Sequence, residues 1–180
     1  MKGIILLTSG FEDTEAITTI DILRRAGLEI DLVACSNESE IHTQTGLYIK
    51  PEKMIQNVDY KSYDFLIIPG GKAVSKTLIK LDIVDEIVKN FYESHKLIAA
   101  ICAAPMILGK NGILKGKKFT CFPSCEEGLD GKYTKAGVVE TENIITGKSM
   151  AYTIDFALAI VNYLLGKDKM KAVQNSIFGK

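Results

Sequence analysis

The sequence predicts an α/β fold in which a mostly parallel sheet is covered on both faces by helices. Short, almost wholly apolar runs such as residues 3–8 and 64–68 are typical of buried parallel strands. Longer segments between such runs have helical periodicity, as where Ile83, Ile87 and Phe91 recur every four residues. Strands that alternate with helices indicate one sheet between two helical layers.

Glycine and proline positions mark the ends of elements in the first half of the chain. Gly27 follows an apolar helical pattern and supplies a helix end. The sequence Pro-Gly-Gly at 69–71 stops an apolar strand. The elements expected here are a strand at 3–8, a helix to about residue 26, a strand at 29–34, a small hairpin at 41–49 and a strand at 64–68.

The second half repeats the alternation and adds a hairpin. Asn111-Gly112 ends the helix that follows the fourth strand, and Thr141-Glu142 provides the turn of the hairpin. The elements expected here are one long or two short helices at 72–94, strands at 96–101 and 117–121, a hairpin of 137–140 with 143–146, and a helix at 154–165. The polar tail 167–180 carries no structural prediction.

Length and charge indicate a single domain over residues 1–180. A chain of 180 residues with 47% hydrophobic residues can bury a sizeable core. Lys plus Arg and Asp plus Glu number 22 each, so no net field attracts nucleic acid or an anionic membrane. The longest uncharged apolar run, 97–108, is too short to span a bilayer, and acidic residues follow the first apolar run too closely for a signal peptide.

The sequence contains four cysteines, Cys35, Cys102, Cys121 and Cys125. Without a secretory signal we expect reduced thiols and a cytoplasmic location. Cys121 and Cys125 lie four residues apart, but no second cysteine or histidine pair completes a zinc site, and His42 and His95 are isolated. We therefore expect no metal.

Cys102 stands at a predicted corner between the strand at 96–101 and a helix that opens near Pro105. Proline fits the first helical turn because its missing N–H costs nothing there. Amides of that turn point towards the thiol and favour a thiolate, as at a nucleophile elbow. The alternative is a small buried hydrophobe at the end of a core strand, which is what a free cysteine usually is.

Three strand ends should meet at one edge of the sheet, because ligands of open α/β sheets bind beyond the carboxyl ends of the strands. These ends are Ser9-Gly10, Pro69-Gly70-Gly71 and Cys102. Gly70 and Gly71 could offer backbone N–H groups to a developing oxyanion, since glycine permits a close approach. A tight turn is the other interpretation of the two glycines.

Glu15 is the candidate proton carrier. Glu12 and Asp13 are explained by favourable interaction with a helix N-terminus. Glu15 instead shares a helical stripe with Thr19 and Ile22 that can turn inward. A carboxyl group beside a thiolate would be pushed towards its protonated form and could relay a proton.

Four segments together resemble the ThiJ/PfpI family, in the branch of the Parkinsonism-associated protein deglycase. They are GFEDTE at 10–15, IIPGG at 67–71, AAICAAP at 99–105 and IDFALAIVNYLLG at 154–166. The resemblance extends over about residues 3–166. It implies a flavodoxin-like three-layer sandwich, a homodimer and no cofactor.

The resemblance also implies roles for individual residues. Cys102 matches the reactive, easily oxidised cysteine of the family, and Glu15 matches its partner acid. Gly71 and Ala103 match the positions whose amides line the pocket.

Two departures from the family pattern bear on the chemistry. Phe122 stands where many members have a histidine before proline, which excludes a Cys-His dyad from that position. Residues 148–151 replace an Arg-Gly-Pro-Gly stretch, which weakens any carried-over anion contact. One hypothesis is that Cys121 or Cys125 reaches Cys102 as a resolving thiol. The alternative is two ordinary buried cysteines.

Two classes of function follow from these residues. In the first, the protein acts on reactive small carbonyls or their protein adducts, as a glyoxalase or deglycase with Cys102 as nucleophile. In the second, it is a non-enzymatic oxidative-stress sensor or chaperone that uses oxidation of the same cysteine. A peptidase or amidase is a further alternative, but Phe122 removes the acid that the leaving amine would need.

Overall fold

Eleven strands and six α-helices alternate along the computed structural model, which describes residues 1–180. The strands are β1 (Lys2–Leu7), β2 (Glu29–Ala34), β3 (Ile41–His42), β4 (Tyr48–Ile49), β5 (Lys53–Met54), β6 (Phe65–Ile68), β7 (Leu97–Ile101), β8 (Lys118–Phe119), β9 (Lys132–Tyr133), β10 (Val138–Thr141) and β11 (Ile144–Gly147). The helices are α1 (Asp13–Arg25), α2 (Lys72–Lys76), α3 (Asp82–Glu93), α4 (Pro105–Lys110), α5 (Thr153–Leu165) and α6 (Lys167–Phe178).

Seven of the strands form one sheet in the order β10-β11-β7-β6-β1-β2-β5. All neighbouring pairs are parallel except β10 with β11, which form the expected antiparallel hairpin. This sheet, with helices on both sides, confirms the predicted fold class. None of the helices has the length and apolar character needed to cross a membrane.

Alternate residues of the central strands divide the apolar core into two parts. In β1, Ile5 and Leu7 pack on the face that α1, α5 and α6 cover, whereas Ile4 and Leu6 pack on the face that α3 and α4 cover. This alternation follows from the two-residue period of a strand. Because both faces are buried, the central strands have no polar side and are apolar throughout.

One strand is shorter than the sequence-based expectation. The strand expected at 117–121 is only the two-residue β8, which pairs with β9 in a separate small sheet. The segment 72–94 contains α2 and α3 with a 3₁₀ turn between them, which confirms the second of the two expected alternatives, two short helices. The expected hairpin at 41–49 is present as β3 paired with β4.

The C-terminal tail, which carried no prediction, forms α6 and packs against the core. Val173 is 4% exposed and belongs to the core beneath α1 and α5, and Met170 and Ile177 pack beside it. The spacing of these three residues, three and then four positions, places them on one face of the helix. The helix is therefore a part of the folded domain.

Replacing Val173 by alanine should lower the free energy of unfolding by about 2 kcal/mol, because it removes two buried methyl groups and leaves a cavity. Urea denaturation followed by circular dichroism measures this. The control is Lys171→Ala, which changes an exposed residue of the same helix and should alter stability by less than about 0.5 kcal/mol. Equal, negligible effects of the two substitutions would contradict the docking of α6.

Candidate functional site

The candidate site lies where the neighbouring strands β1, β6 and β7 end at the same edge of the sheet. The loop after β1 leads into α1, the Pro69–Gly71 segment follows β6, and Cys102 follows β7. Backbone hydrogen bonds tie the first two together, since the N–H of Glu12 donates to the carbonyl of Gly70 at 3.1 Å. The structure therefore brings the three predicted strand ends together.

Cys102 occupies a left-handed backbone conformation, with φ at 64°. Few residues other than glycine adopt it, and it is the geometry of a sharp strand-to-helix corner. Its N–H donates to the carbonyl of Gly147 at 2.9 Å, and its carbonyl accepts from the N–H of Phe122 at 2.8 Å. These two bonds hold the corner, and the side chain is partly exposed.

Glu15 points inward from the first turn of α1 and is 1% exposed. Its backbone N–H donates to the Glu12 carboxylate at 2.7 Å, a contact that caps the helix. Its own Oε2 accepts from the N–H of Gly70 at 2.8 Å. Oε1 is buried with no hydrogen-bond partner in the structure, so this oxygen is available for proton exchange.

Gly70 allows the acid and the thiol to approach each other. A Cβ atom at this position would lie 2.6 Å from both the Glu15 Oε2 and the Cys102 Cβ, and 3.1 Å from the Cys102 Sγ. Any side chain would force these groups apart, since contacts that short do not occur.

The prediction that both Gly70 and Gly71 offer their N–H groups to an oxyanion is wrong for Gly70. The N–H of Gly70 is occupied by Glu15 and is not free for an oxyanion. The backbone amides of Gly71 and Ala103 instead act on the Cys102 thiol, whose pKa both of them lower. Both residues line the same cavity as Cys102.

The electrostatics of the pair favour one shared proton. Burial raises the pKa of Glu15 to about 7, although the Gly70 N–H and the neighbouring Cys102 thiol partly oppose this. Burial also raises the pKa of the Cys102 thiol, and the Glu15 charge raises it further, whereas the amides of Gly71 and Ala103 lower it. The amides thus act in the expected direction, but burial outweighs them. With Glu15 ionised the sulfur keeps its proton, so an active thiolate requires Glu15 to accept that proton.

Cys102 and Glu15 open into a cavity of about 410 Å³. Its lining comprises Glu12, Glu15, Gln44, Gly71, Lys72, Ser75, Cys102, Ala103, Phe122, Ser149 and Met150. Gln44, Lys72 and Ser75 were not predicted from the sequence. They lie on the loop between β3 and β4 and on α2, where no spacing pattern distinguishes a lining residue from a surface residue. The structure contains no group of three or more His, Cys, Asp or Glu side chains suited to a metal ion.

The predicted neighbours after β8 are divided. Phe122 lines the cavity and is 48% exposed. Cys121 is buried on the α3 and α4 side, where its Sγ lies 3.9 Å from an oxygen of Glu126. Cys125 packs on that same side, and neither thiol lines the cavity. This placement gives the resolving-thiol hypothesis no support and agrees with two structural cysteines.

The comparison with known proteins decides the family. A model of the DJ-1/PfpI family matches residues 1–163. The chain belongs to the DJ-1/PfpI family. This confirms the resemblance drawn from the four sequence segments.

Individual DJ-1/PfpI relatives match almost the whole chain. Protein dj-1beta of Drosophila melanogaster is 30% identical over 179 residues, which cover 98% of this chain and 96% of that protein. A Caenorhabditis elegans protein named glutathione-independent glyoxalase DJR-1.2 is 34% identical over 173 residues, covering 94% and 91%. The crystal structure of Drosophila melanogaster DJ-1beta superposes with a TM-score of 0.92 at 29% identity, covering 98% of this chain and 97% of that one.

Glu15→Gln should make this DJ-1/PfpI protein less sensitive to pH. The raised pKa means that the folded state binds the Glu15 proton more tightly than the unfolded chain, whose carboxyl titrates near 4.5. Its stabilising contribution is present below pH 4.5 and is lost as pH rises towards and through 7. Between pH 5 and 8 the wild type should therefore lose on the order of 2 kcal/mol relative to the Gln variant.

Urea unfolding of both proteins at pH 5, 6, 7 and 8 measures this difference. Asp21→Asn is the control, since Asp21 is an exposed carboxylate of the same helix. A constant stability difference between wild type and Glu15→Gln over this range would contradict the raised pKa.

Proposed function

We propose that the protein is a cofactor-independent, glyoxalase-type enzyme that converts small α-oxoaldehydes to 2-hydroxy acids. The observation that carries the proposal is a buried carboxyl beside a cavity thiol: Glu15 Oε2 and Cys102 Sγ lie 2.6 and 3.1 Å from the same point, where a Cβ of Gly70 would be. A relative named glutathione-independent glyoxalase, 34% identical over 173 residues, supports the same reaction class.

The first step is attack of Cys102 on the aldehyde carbon, here of methylglyoxal. Glu15 accepts the thiol proton as the C–S bond forms, which a carboxylate with a pKa of about 7 can do near neutral pH. The aldehyde oxygen becomes an alkoxide bonded to the carbon beside sulfur. Because the backbone amides of Gly71 and Ala103 act on that thiol, they are placed to donate to this oxygen.

The second step moves a proton between the two carbons of the substrate. Glu15 returns the thiol proton to the substrate alkoxide, removes the C–H proton of the hemithioacetal and delivers it to the ketone carbon, while the hydroxyl proton moves to the oxygen of that carbon. The aldehyde carbon is oxidised as the ketone carbon is reduced, so no external oxidant or reductant is needed. The product is a thioester of a 2-hydroxy acid on Cys102.

Water then attacks the thioester, and Cys102 leaves as the thiol with its proton regained. The released product from methylglyoxal is lactate. A carbonyl compound already bound to the thiol or amine of another protein could be removed by the same reaction, because the cavity is open at the surface. A peptidase would need an acid for an amine leaving group, and Phe122 cannot supply one.

A sensor or chaperone role is the second candidate, and the absence of any histidine from the cavity lining favours it. Glu15 alone must then carry every proton of the catalytic cycle, whereas a site with a histidine has a second proton donor and acceptor. The Gly71 and Ala103 amides could equally stabilise a sulfinate on Cys102. Homodimerisation and a cytoplasmic location remain predictions.

Purified protein should convert methylglyoxal to lactate, and Cys102→Ala should abolish this, since it removes the attacking atom. Glu15→Gln should lower kcat/KM by about 10²–10⁴-fold, because the proton carrier is lost. Lactate formation is followed with a coupled dehydrogenase assay. The matched control is Cys35→Ala, a buried cysteine outside the cavity. Absence of turnover, with rapid formation of a Cys102 sulfinate under mild peroxide, would reject the glyoxalase in favour of the sensor.

The rate should depend on pH through Glu15. If its carboxylate takes the thiol proton, kcat/KM rises with pH and levels off above about pH 7, where the group is ionised. Below that value the rate should fall about tenfold per pH unit. Initial rates between pH 5 and 8.5 measure this profile. A flat profile over that range would exclude Glu15 as the base, and Glu15→Gln should lack the inflection.

A further inference from the structure

We infer that the cavity selects α-oxoaldehydes whose substituent is apolar and larger than a methyl group, with an aryl group as the best fit. This inference rests on the proposed function, whose substrate class it narrows. Phe122 and Met150, which flank the cavity that contains Cys102, carry it.

The size of the cavity is the first observation. Its volume of about 410 Å³ is in the range of pockets that hold ligands much larger than a three-carbon aldehyde. Methylglyoxal at Cys102 would leave most of this space to water. A substrate with a larger substituent fills it.

The exposed apolar side chains are the second observation. Phe122 is 48% exposed and Met150 is 53% exposed, and both line the cavity. Sulfur and aromatic side chains make favourable contacts with an aromatic ring. An aryl substituent that packs against these side chains removes apolar surface of both substrate and protein from water.

The backbone around these side chains is the third observation. The N–H of Phe122 donates to the carbonyl of Cys102 at 2.8 Å, so the backbone that carries the ring is bonded to the backbone of the nucleophile. The carbonyl of Met150 accepts from the Thr153 hydroxyl at 2.8 Å at the start of α5. Both side chains therefore start from fixed backbone beside the reacting sulfur, as a binding surface requires.

The rest of the lining indicates the orientation. Glu12, Gln44, Lys72 and Ser75 give polar groups from the start of α1, the β3–β4 loop and α2. In the proposed reaction the aldehyde oxygen is bound near Gly71, on the same side of the cavity as these four polar residues. The substituent is then left to the apolar pair.

Alkylation of Cys102 tests the apolar surface without requiring turnover. The rates with N-phenylmaleimide and N-methylmaleimide are measured by mass spectrometry of the Cys102 peptide, and their ratio is divided by the ratio for glutathione. We expect a corrected ratio of about ten in the wild type, falling several-fold in Phe122→Ala and in Met150→Ala. Phe178→Ala is the control because this exposed phenylalanine lies on α6. A corrected ratio near one in the wild type would overturn the inference.

Turnover separates this inference from the proposed function. The ratio of kcat/KM for phenylglyoxal to that for methylglyoxal should fall about tenfold in Phe122→Ala relative to the wild type and stay constant in Phe178→Ala. If methylglyoxal is consumed but neither ratio responds to Phe122, the inference fails and the glyoxalase stands. If neither aldehyde is consumed while the maleimide ratio is high and depends on Phe122, the glyoxalase fails and the apolar surface stands.

Discussion

The contact between Glu15, Gly70 and Cys102 is the constraint on which the site depends. The strand order places β6 between β1 and β7. The Pro69–Gly71 segment after β6 therefore lies between the acid after β1 and the thiol after β7. With no Cβ, Gly70 lets the carboxyl and the sulfur meet above it, and its N–H fixes one carboxyl oxygen. The topology and one missing side chain together create the pair.

The burial of Glu15 makes its carboxylate a stronger base than a solvated one. A solvated glutamate would be fully ionised at neutral pH and a weak base, whereas burial brings the pKa of Glu15 to about 7. The same burial raises the pKa of the Cys102 thiol, so the sulfur keeps its proton in the resting site. The proton between the two residues is thus held, and its transfer can be coupled to formation of a bond at sulfur.

The sequence sufficed for the fold class and for the two central residues because each leaves a local signal. The apolar runs identify buried strands, and a strand followed by Cys102, small residues and Pro105 indicates the corner. Glu15 was identified from its position on an inward stripe of α1. The sequence could not show which groups the backbone N–H of Gly70 and that of Gly71 interact with. Gly70 and Gly71 are identical in sequence, and only the positions of Glu15 and the sulfur decide which N–H is occupied.

Other features depended on tertiary contacts. The tail forms α6 because Val173 and its neighbours on one face pack on the core beneath α1 and α5. The sequence of the tail is mostly polar and does not indicate this packing. Residues 117–121 have strand character, but only β8 forms, since its partner is the equally short β9. Gln44 lines the cavity because Lys72 donates its N–H to the Gln44 side chain across two loops at 3.1 Å. No local pattern encodes such a contact.

The left-handed backbone at Cys102 has a consequence for how the protein can change over time. A side chain in this conformation costs on the order of 1 kcal/mol, and glycine would avoid that cost while removing the sulfur. At this position the residue with the least backbone strain has no reactive side chain, and the residue with the reactive side chain is strained. Selection for stability alone would favour glycine at this position, so a cysteine retained here indicates that the sulfur is used.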